Sequence, residues 1–124
     1  WLRARAEDPR SVFLVAERDA GKLAGFLIAT IEETIPIYRL GETGFIHDLW
    51  VEPEYRNEGI GRQLTMVAIE TFRDKGVRQI RLETASQNEA ARALFRSCGF
   101  RVSTIEMLLD IPLAPSPREG RGQG

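Results

Sequence analysis

The residues best equipped for chemistry lie in Val51-Glu52-Pro53-Glu54-Tyr55-Arg56-Asn57-Glu58-Gly59-Ile60-Gly61, where an apolar run meets a glycine-punctuated turn. Residue types at this spacing build an anion site. Arg56 supplies a fixed positive charge, and Gly59 and Gly61 let a ligand approach the backbone with no Cβ in its way. The first amides of the helix that follows lack intrahelical partners. A phosphate-bearing cofactor is the natural occupant. A mononucleotide-binding loop would need Lys-Ser or Lys-Thr after Gly61. A dinucleotide fingerprint would need a third glycine and an acidic residue after the next strand. The sequence has neither.

His47, the only histidine, and Asp48 stand just ahead of that turn. Imidazole suits a general base near neutral pH, and it equally suits a solvent-facing or internally satisfied structural position. Strand alternation places His47 and Asp48 on opposite faces, so only one points at a reacting centre. Glu32, Glu33, Glu42 and Glu83 supply negative charge suited to a cationic substrate if they converge. Cys98, the only cysteine, sits among apolar helix positions and reads as packing rather than as a nucleophile. Trp50 and Phe45 read as core rather than as a binding wall.

The elements that must position these residues are legible as a mixed α/β pattern. Ser11–Glu17 and Lys22–Ile31 are β-rich runs around Arg18-Asp19-Ala20-Gly21, an antiparallel hairpin. Glu32–Gly44 is a polar loop, and Phe45–Val51 a third strand. From Gly61 to Lys75 the apolar positions Leu64, Val67, Ala68 and Phe72 share one helical face, which Gly76 ends. Val77–Thr84 then alternates as a half-buried strand expected to run parallel to the strand before the helix. Asn88 caps a second helix whose Ala91, Leu94, Phe95 and Cys98 share a face and whose end Gly99 marks. Arg101–Ile111 is expected as a last strand. This order argues helices packed on a mixed sheet.

The chain has 124 residues, 43% apolar and 28% charged, with a net charge of -1. That is one compact domain, expected over 1–113, with a Pro, Ser, Gly and charge-rich flexible tail over 114–124. So slight a charge gives no general field for nucleic acid. A single cysteine excludes a disulfide framework or a cysteine metal cluster and fits a reducing compartment, with the cytoplasm as the expected location. No apolar run reaches the length of a membrane span, and the charged start does not resemble a signal peptide. Trp1 in place of Met reads as a fragment or a processed start.

Two motifs together carry a family resemblance. Leu49-Trp50-Val51-Glu52-Pro53-Glu54-Tyr55-Arg56-Asn57-Glu58-Gly59-Ile60-Gly61-Arg62-Gln63-Leu64, with its Arg-x-x-Gly-x-Gly core, resembles the cofactor motif of the GNAT superfamily of acetyl-CoA-dependent N-acetyltransferases. Asn88-Glu89-Ala90-Ala91-Arg92-Ala93-Leu94-Phe95-Arg96-Ser97-Cys98-Gly99-Phe100 resembles its second signature at the expected distance. The resemblance runs from about Val12 to Phe100, with the family's first strand and helix apparently missing. It implies a GNAT-like fold and acetyl transfer from acetyl-CoA directly to a primary amine of a small molecule or peptide, with no metal. The alternative is a non-catalytic or degenerate acyl-CoA-binding regulatory domain. Main-chain groups of Leu49, Trp50 and Val51 would meet the pantetheine arm between two splayed parallel strands. Arg56, Asn57, Glu58, Gly59, Ile60, Gly61 and Arg62 would form the pyrophosphate turn, with Asn88 and Phe95 beside the arm. His47 or Asp48 would take the amine proton, since polyamine-acetylating members carry an acidic pair at the equivalent place. Phe95 departs from the pattern, because many members place there a tyrosine whose hydroxyl protonates the leaving thiolate. Members of the family often dimerise, so a homodimer is a further expectation.

Overall fold

The computed structural model describes residues 2–4, 8–33 and 41–114. Among them a mixed sheet runs in sequence order: β1 (Leu2–Ala4), β2 (Ser11–Arg18), β3 (Lys22–Glu33), β4 (Glu42–Val51) and β5 (Ile80–Arg81). Helix α1 (Ile60–Asp74) connects β4 to β5, and α2 (Glu89–Ser97) follows. The first four strands pair antiparallel, whereas β4 and β5 are parallel, the pairing that a helical crossover permits. The hairpin forms as its turn residues predict, through a short 3₁₀ turn over Asp19–Gly21. β1 is an addition to the sequence expectation, with Leu2 opposite Ala16 and Ala4 opposite Leu14.

One face of the sheet builds the core. Leu14, Leu27, Ala29 and Ile46 alternate inward from three strands and meet Ile60, Leu64, Ala68 and Phe72, which recur every four residues along α1. Phe72 is fully buried and lies so close to β4 that a Cβ on Gly44 would come within 2.9 Å of its ring. Thr65 is buried on the same helix without cost to the core, because its hydroxyl donates to the Gly61 carbonyl at 2.8 Å. Both helices close in the same way. Val77 N–H donates to Phe72 O, and Phe100 N–H to Phe95 O, each at 3.0 Å, with Gly76 and Gly99 at positive φ in between. No described helix is long and apolar enough to cross a membrane.

Two expectations are corrected. The strand read over Val77–Thr84 shrinks to Ile80–Arg81. The strand read over Arg101–Ile111 does not form, and its apolar side chains stand in solvent, Met107 at 89% exposed and Leu109 at 79%. Alternation can mark a strand, but its backbone groups need a neighbour, and the two-residue β5 offers almost no ladder to join. Of the polar loop expected over Glu32–Gly44, Glu32 and Glu33 extend β3 and Glu42–Gly44 open β4, while residues 34–40 fall outside the described residues, as does the expected flexible tail from 115 onward.

Candidate active site

The parallel pair holds for just two residues. Gly44 pairs with Ile80 and Phe45 with Arg81, and the Gly44 N–H donates to Gln79 O at 2.9 Å. Beyond Phe45 the two strands part. β4 continues through Val51 bonded to β3 on one side, with its other edge free of any described strand. The main-chain groups of Leu49, Trp50 and Val51 therefore flank an open wedge, and such an edge accepts an extended ligand as it would another strand.

The glycine turn closes the end of this wedge. After a 3₁₀ turn over Pro53–Tyr55, Asn57 takes a left-handed φ of 69° and Gly59 one of 82°, and Gly59 is the N-cap of α1. A glycine cap has no side chain to occupy the first amides of the helix, so they stay available to an anion. An added Cβ at Gly59 would meet nothing within 4 Å. Gly61 is different. Its Cβ would lie 3.4 Å from Leu94 Cδ2, 3.6 Å from Val51 Cγ2 and 3.8 Å from Leu49 Cδ2, ordinary contact distances, so this position faces side chains of β4 and α2.

Around the turn, the Arg56 side chain folds back so that Nε donates to Val51 O at 3.1 Å, with the rest of the guanidinium exposed. Glu58 forms an ion pair with Arg18, whose guanidinium lies 4.9 Å from the centre of the Tyr55 ring. The hydrogen bond and charge of Glu58 raise the Arg18 pKa further above its ordinary value. Glu58 is therefore engaged with β2 rather than free beside the amides. Arg62 reaches across to Ser97 O at 3.4 Å and ties α1 to α2. Ile60 is buried, Asn57 exposed. Asn88 Oδ1 accepts from Ala91 N at 3.0 Å and caps α2. Phe95 is buried, its ring edge-on to Phe100 at 5.5 Å. A hydrocarbon ring there keeps the packing but offers no proton.

β4 carries a bulge that changes the catalytic end of the site. Asp48 stands opposite Ile28, but Ile46 stands opposite Ala29, leaving His47 as an extra residue. His47 turns toward Thr30, two residues along from Ile28 on β3, with Nε2 2.7 Å from Thr30 Oγ1. His47 and Asp48 consequently share the face away from α1, and both are exposed. The expectation that they face opposite sides is wrong because simple alternation fails at a bulge. Glu32 joins them, its Oε2 3.3 Å from His47 Nε2. Glu42 does not, being ion-paired with Arg10, and Glu83 stands exposed beyond β5. Trp50 stacks on Phe26 across the same face, with ring centres 5.6 Å apart. Sequence reasoning passed over Thr30, a lone hydroxyl between Ala29 and Ile31 in an otherwise apolar run; that interruption was the available signal.

Cys98 is half-buried and lines a cavity of about 1020 Å3 that reaches the His47 cluster through Glu32 and Phe45 and is lined also by Arg73, Ile80, Arg81 and Phe100. This cavity opens where the strand over Arg101–Ile111 was expected.

The chain belongs to the acetyltransferase (GNAT) family. Its family model matches residues 1–100. A mycothiol acetyltransferase of Cellulomonas flavigena is 34% identical over 125 aligned residues, covering 96% of this chain and 36% of that protein. The uncharacterized N-acetyltransferase YhfO of Bacillus subtilis is 29% identical, over 90% of this chain and 74% of its own. Among solved structures, a mutant of the BH1408 protein from Bacillus halodurans superposes with a TM-score of 0.79 at 26% identity, over 86% of this chain and 69% of that one. The GNAT-like mixed α/β fold is thereby established. The chain spans about a third of the length of the mycothiol acetyltransferases it matches, 36% of the Cellulomonas flavigena protein and 30% of one from Thermobifida fusca.

Proposed function

We propose that this chain transfers an acetyl group from acetyl-CoA directly to a primary amine of a small molecule. The observation that carries the reading is the divergence of β4 from β5 next to an N-cap, Gly59, that leaves helix amides uncovered. These residues fit the cofactor: open space at Gly59 suits a pyrophosphate, and the edge of β4 along Leu49, Trp50 and Val51, which no described strand covers and where Arg56 Nε holds Val51 O, suits the amide-bearing pantetheine arm. Arg56 would add charge, Asn88 would offer its amide NH2 beside the arm, and Arg62 would keep the helices in place. When bound, acetyl-CoA supplies the thioester carbonyl that the amine attacks.

The chain's own contribution is alignment, exclusion of competing geometry and one proton transfer. His47 removes a proton from the ammonium form of the acceptor so that its nitrogen can attack, and Asp48 on the same face favours a cationic acceptor. Phe95 gives no proton to the departing thiol, which ordinary thiol acidity, near pKa about 8.5, makes tolerable near neutral pH. The names of the mycothiol acetyltransferase relatives support a small-molecule acceptor. A single domain over 1–113 suffices for these parts.

Thiol release with a panel of amines, with mass detection of the product, tests the reading. Turnover with any amine is the expected result. Thermal stabilisation by CoA with no thiol release from any amine would instead favour a non-catalytic acyl-CoA-binding domain, the reading that Phe95 keeps alive.

A further inference from the structure

Thr30, Glu32 and His47 form one hydrogen-bonded set on the exposed face of the sheet, and its protons can be counted. Thr30 Oγ1 lies 3.2 Å from Glu32 Oε2 and 2.7 Å from His47 Nε2, while Nε2 lies 3.3 Å from the same Glu32 oxygen. An ionised glutamate only accepts, so the Thr30 hydroxyl is the donor in its contact with Glu32, and a bare Nε2 would meet the same carboxylate oxygen lone pair to lone pair. The Thr30 oxygen is then left with lone pairs alone for His47. Both atoms within reach of Nε2 are acceptors, and a neutral imidazole has one N–H to give.

We propose that Thr30 and Glu32 are positioning residues that hold His47 as its Nε2–H tautomer and leave Nδ1 as the nitrogen that accepts the amine proton. This rests on the reading of His47 as the base. In the transfer, one N–H bond of the substrate ammonium breaks, its electron pair stays on the amine nitrogen, and an Nδ1–H bond forms. The imidazolium so produced has the Glu32 carboxylate 3.3 Å from Nε2 and Asp48 on the same face, which offset its charge. The Phe45 ring, 4.9 Å away and tilted by 45°, flanks the imidazole. The bulge in β4 is what makes the set possible, because it turns His47 to the face that Thr30 occupies.

Because His47 is the only histidine, 15N NMR of the histidine-labelled chain reads its two ring nitrogens without ambiguity. In the unaltered chain Nε2 is expected to carry the proton and Nδ1 to be bare. Thr30→Val keeps the side-chain volume but removes the hydroxyl. It should raise the Nδ1–H fraction and lower kcat by about fivefold, the worth of one hydrogen bond, with CoA affinity unchanged. Thr30→Ser should restore both readouts. An Nδ1–H tautomer in the unaltered chain, equal tautomer populations in Thr30→Val, or a shifted tautomer with unaltered kcat would each overturn the proposal. Failure of the underlying reading looks different: His47→Ala would leave thiol release intact while the tautomer measurement stood.

Discussion

Asp48 stands directly across from Ile28, yet its neighbour His47 reaches Thr30 on the same face of the sheet, because β4 spends one extra residue between the partners of Ile28 and Ala29. A flat strand would send one of the two toward α1 and bury it. The bulge instead presents an imidazole and a carboxylate side by side where β4 leaves β5, and bulges re-aim side chains in this way at many functional sites. Two candidate bases therefore compete on equal terms of access, and chemistry rather than orientation separates them.

That competition is resolved by paired substitutions. His47→Ala should lower kcat/KM by about 100-fold and flatten the acidic limb of the rate profile, the loss typical of a removed general base. Asp48→Asn keeps shape and should cost about threefold, a charge effect that salt diminishes. The reverse order in steady-state assays across pH would make Asp48 the base.

The parts of this fold that were legible in the sequence are those written locally. Val77 and Phe100, just after Gly76 and Gly99, close their helices through contacts five residues back, Asn88 caps through a residue three ahead, and the hairpin turn closes on itself. The glycine turn was legible for the same reason. The bulge was not, since an extra residue shows only against its partner strand. Arg101–Ile111 misled for a related reason: Ile105, Met107, Leu109 and Ile111 alternate as a strand should, but a ladder requires a second chain segment that the pattern does not name. The Glu42 side chain, expected to suit a cationic substrate only if the glutamates converge, is held by Arg10 from far away in sequence.

The two glycines of the turn should fail differently. Gly59→Ala places a Cβ in open space but in a left-handed conformation, and should cost about 1 kcal/mol in denaturant unfolding while CoA binding weakens modestly. Gly61→Asp drives a charged side chain between Leu94, Val51 and Leu49 and sets it against an anion, so CoA binding should be lost in calorimetry. CoA affinity surviving in Gly61→Asp would remove the turn from the cofactor site.

Asn88 has a cap to keep and a cofactor to meet. Asn88→Ala should destabilise the chain by about 1 kcal/mol, the usual worth of an N-cap. Asn88→Asp retains the accepting oxygen and so the Tm, but trades the amide donor for negative charge and should weaken CoA binding. Equal CoA affinity in Asn88→Asp would confine the residue to capping.

The seating of α1 depends on one ring. Phe72→Ala deletes a fully buried side chain packed against Gly44 and should cost about 3–5 kcal/mol, enough to unfold much of a domain of ordinary stability. Circular dichroism with urea titration reads it directly. A cost below about 1 kcal/mol would mean that α1 does not pack where β4 begins.

Arg56 tests whether the turn binds by charge or by backbone. Its Nε holds the Val51 carbonyl, so the guanidinium is anchored at the end of β4 while its remaining donors face solvent. Arg56→Ala should weaken CoA binding at low salt, and the difference from the unaltered chain should shrink toward nothing near 1 M salt, where charges are screened beyond about 3 Å. Arg56→Lys keeps the charge but loses the planar Nε bond, so it should restore only part of the affinity. A defect in Arg56→Ala that salt leaves untouched would assign the residue to shaping the turn, with the uncapped amides behind Gly59 carrying the phosphate alone.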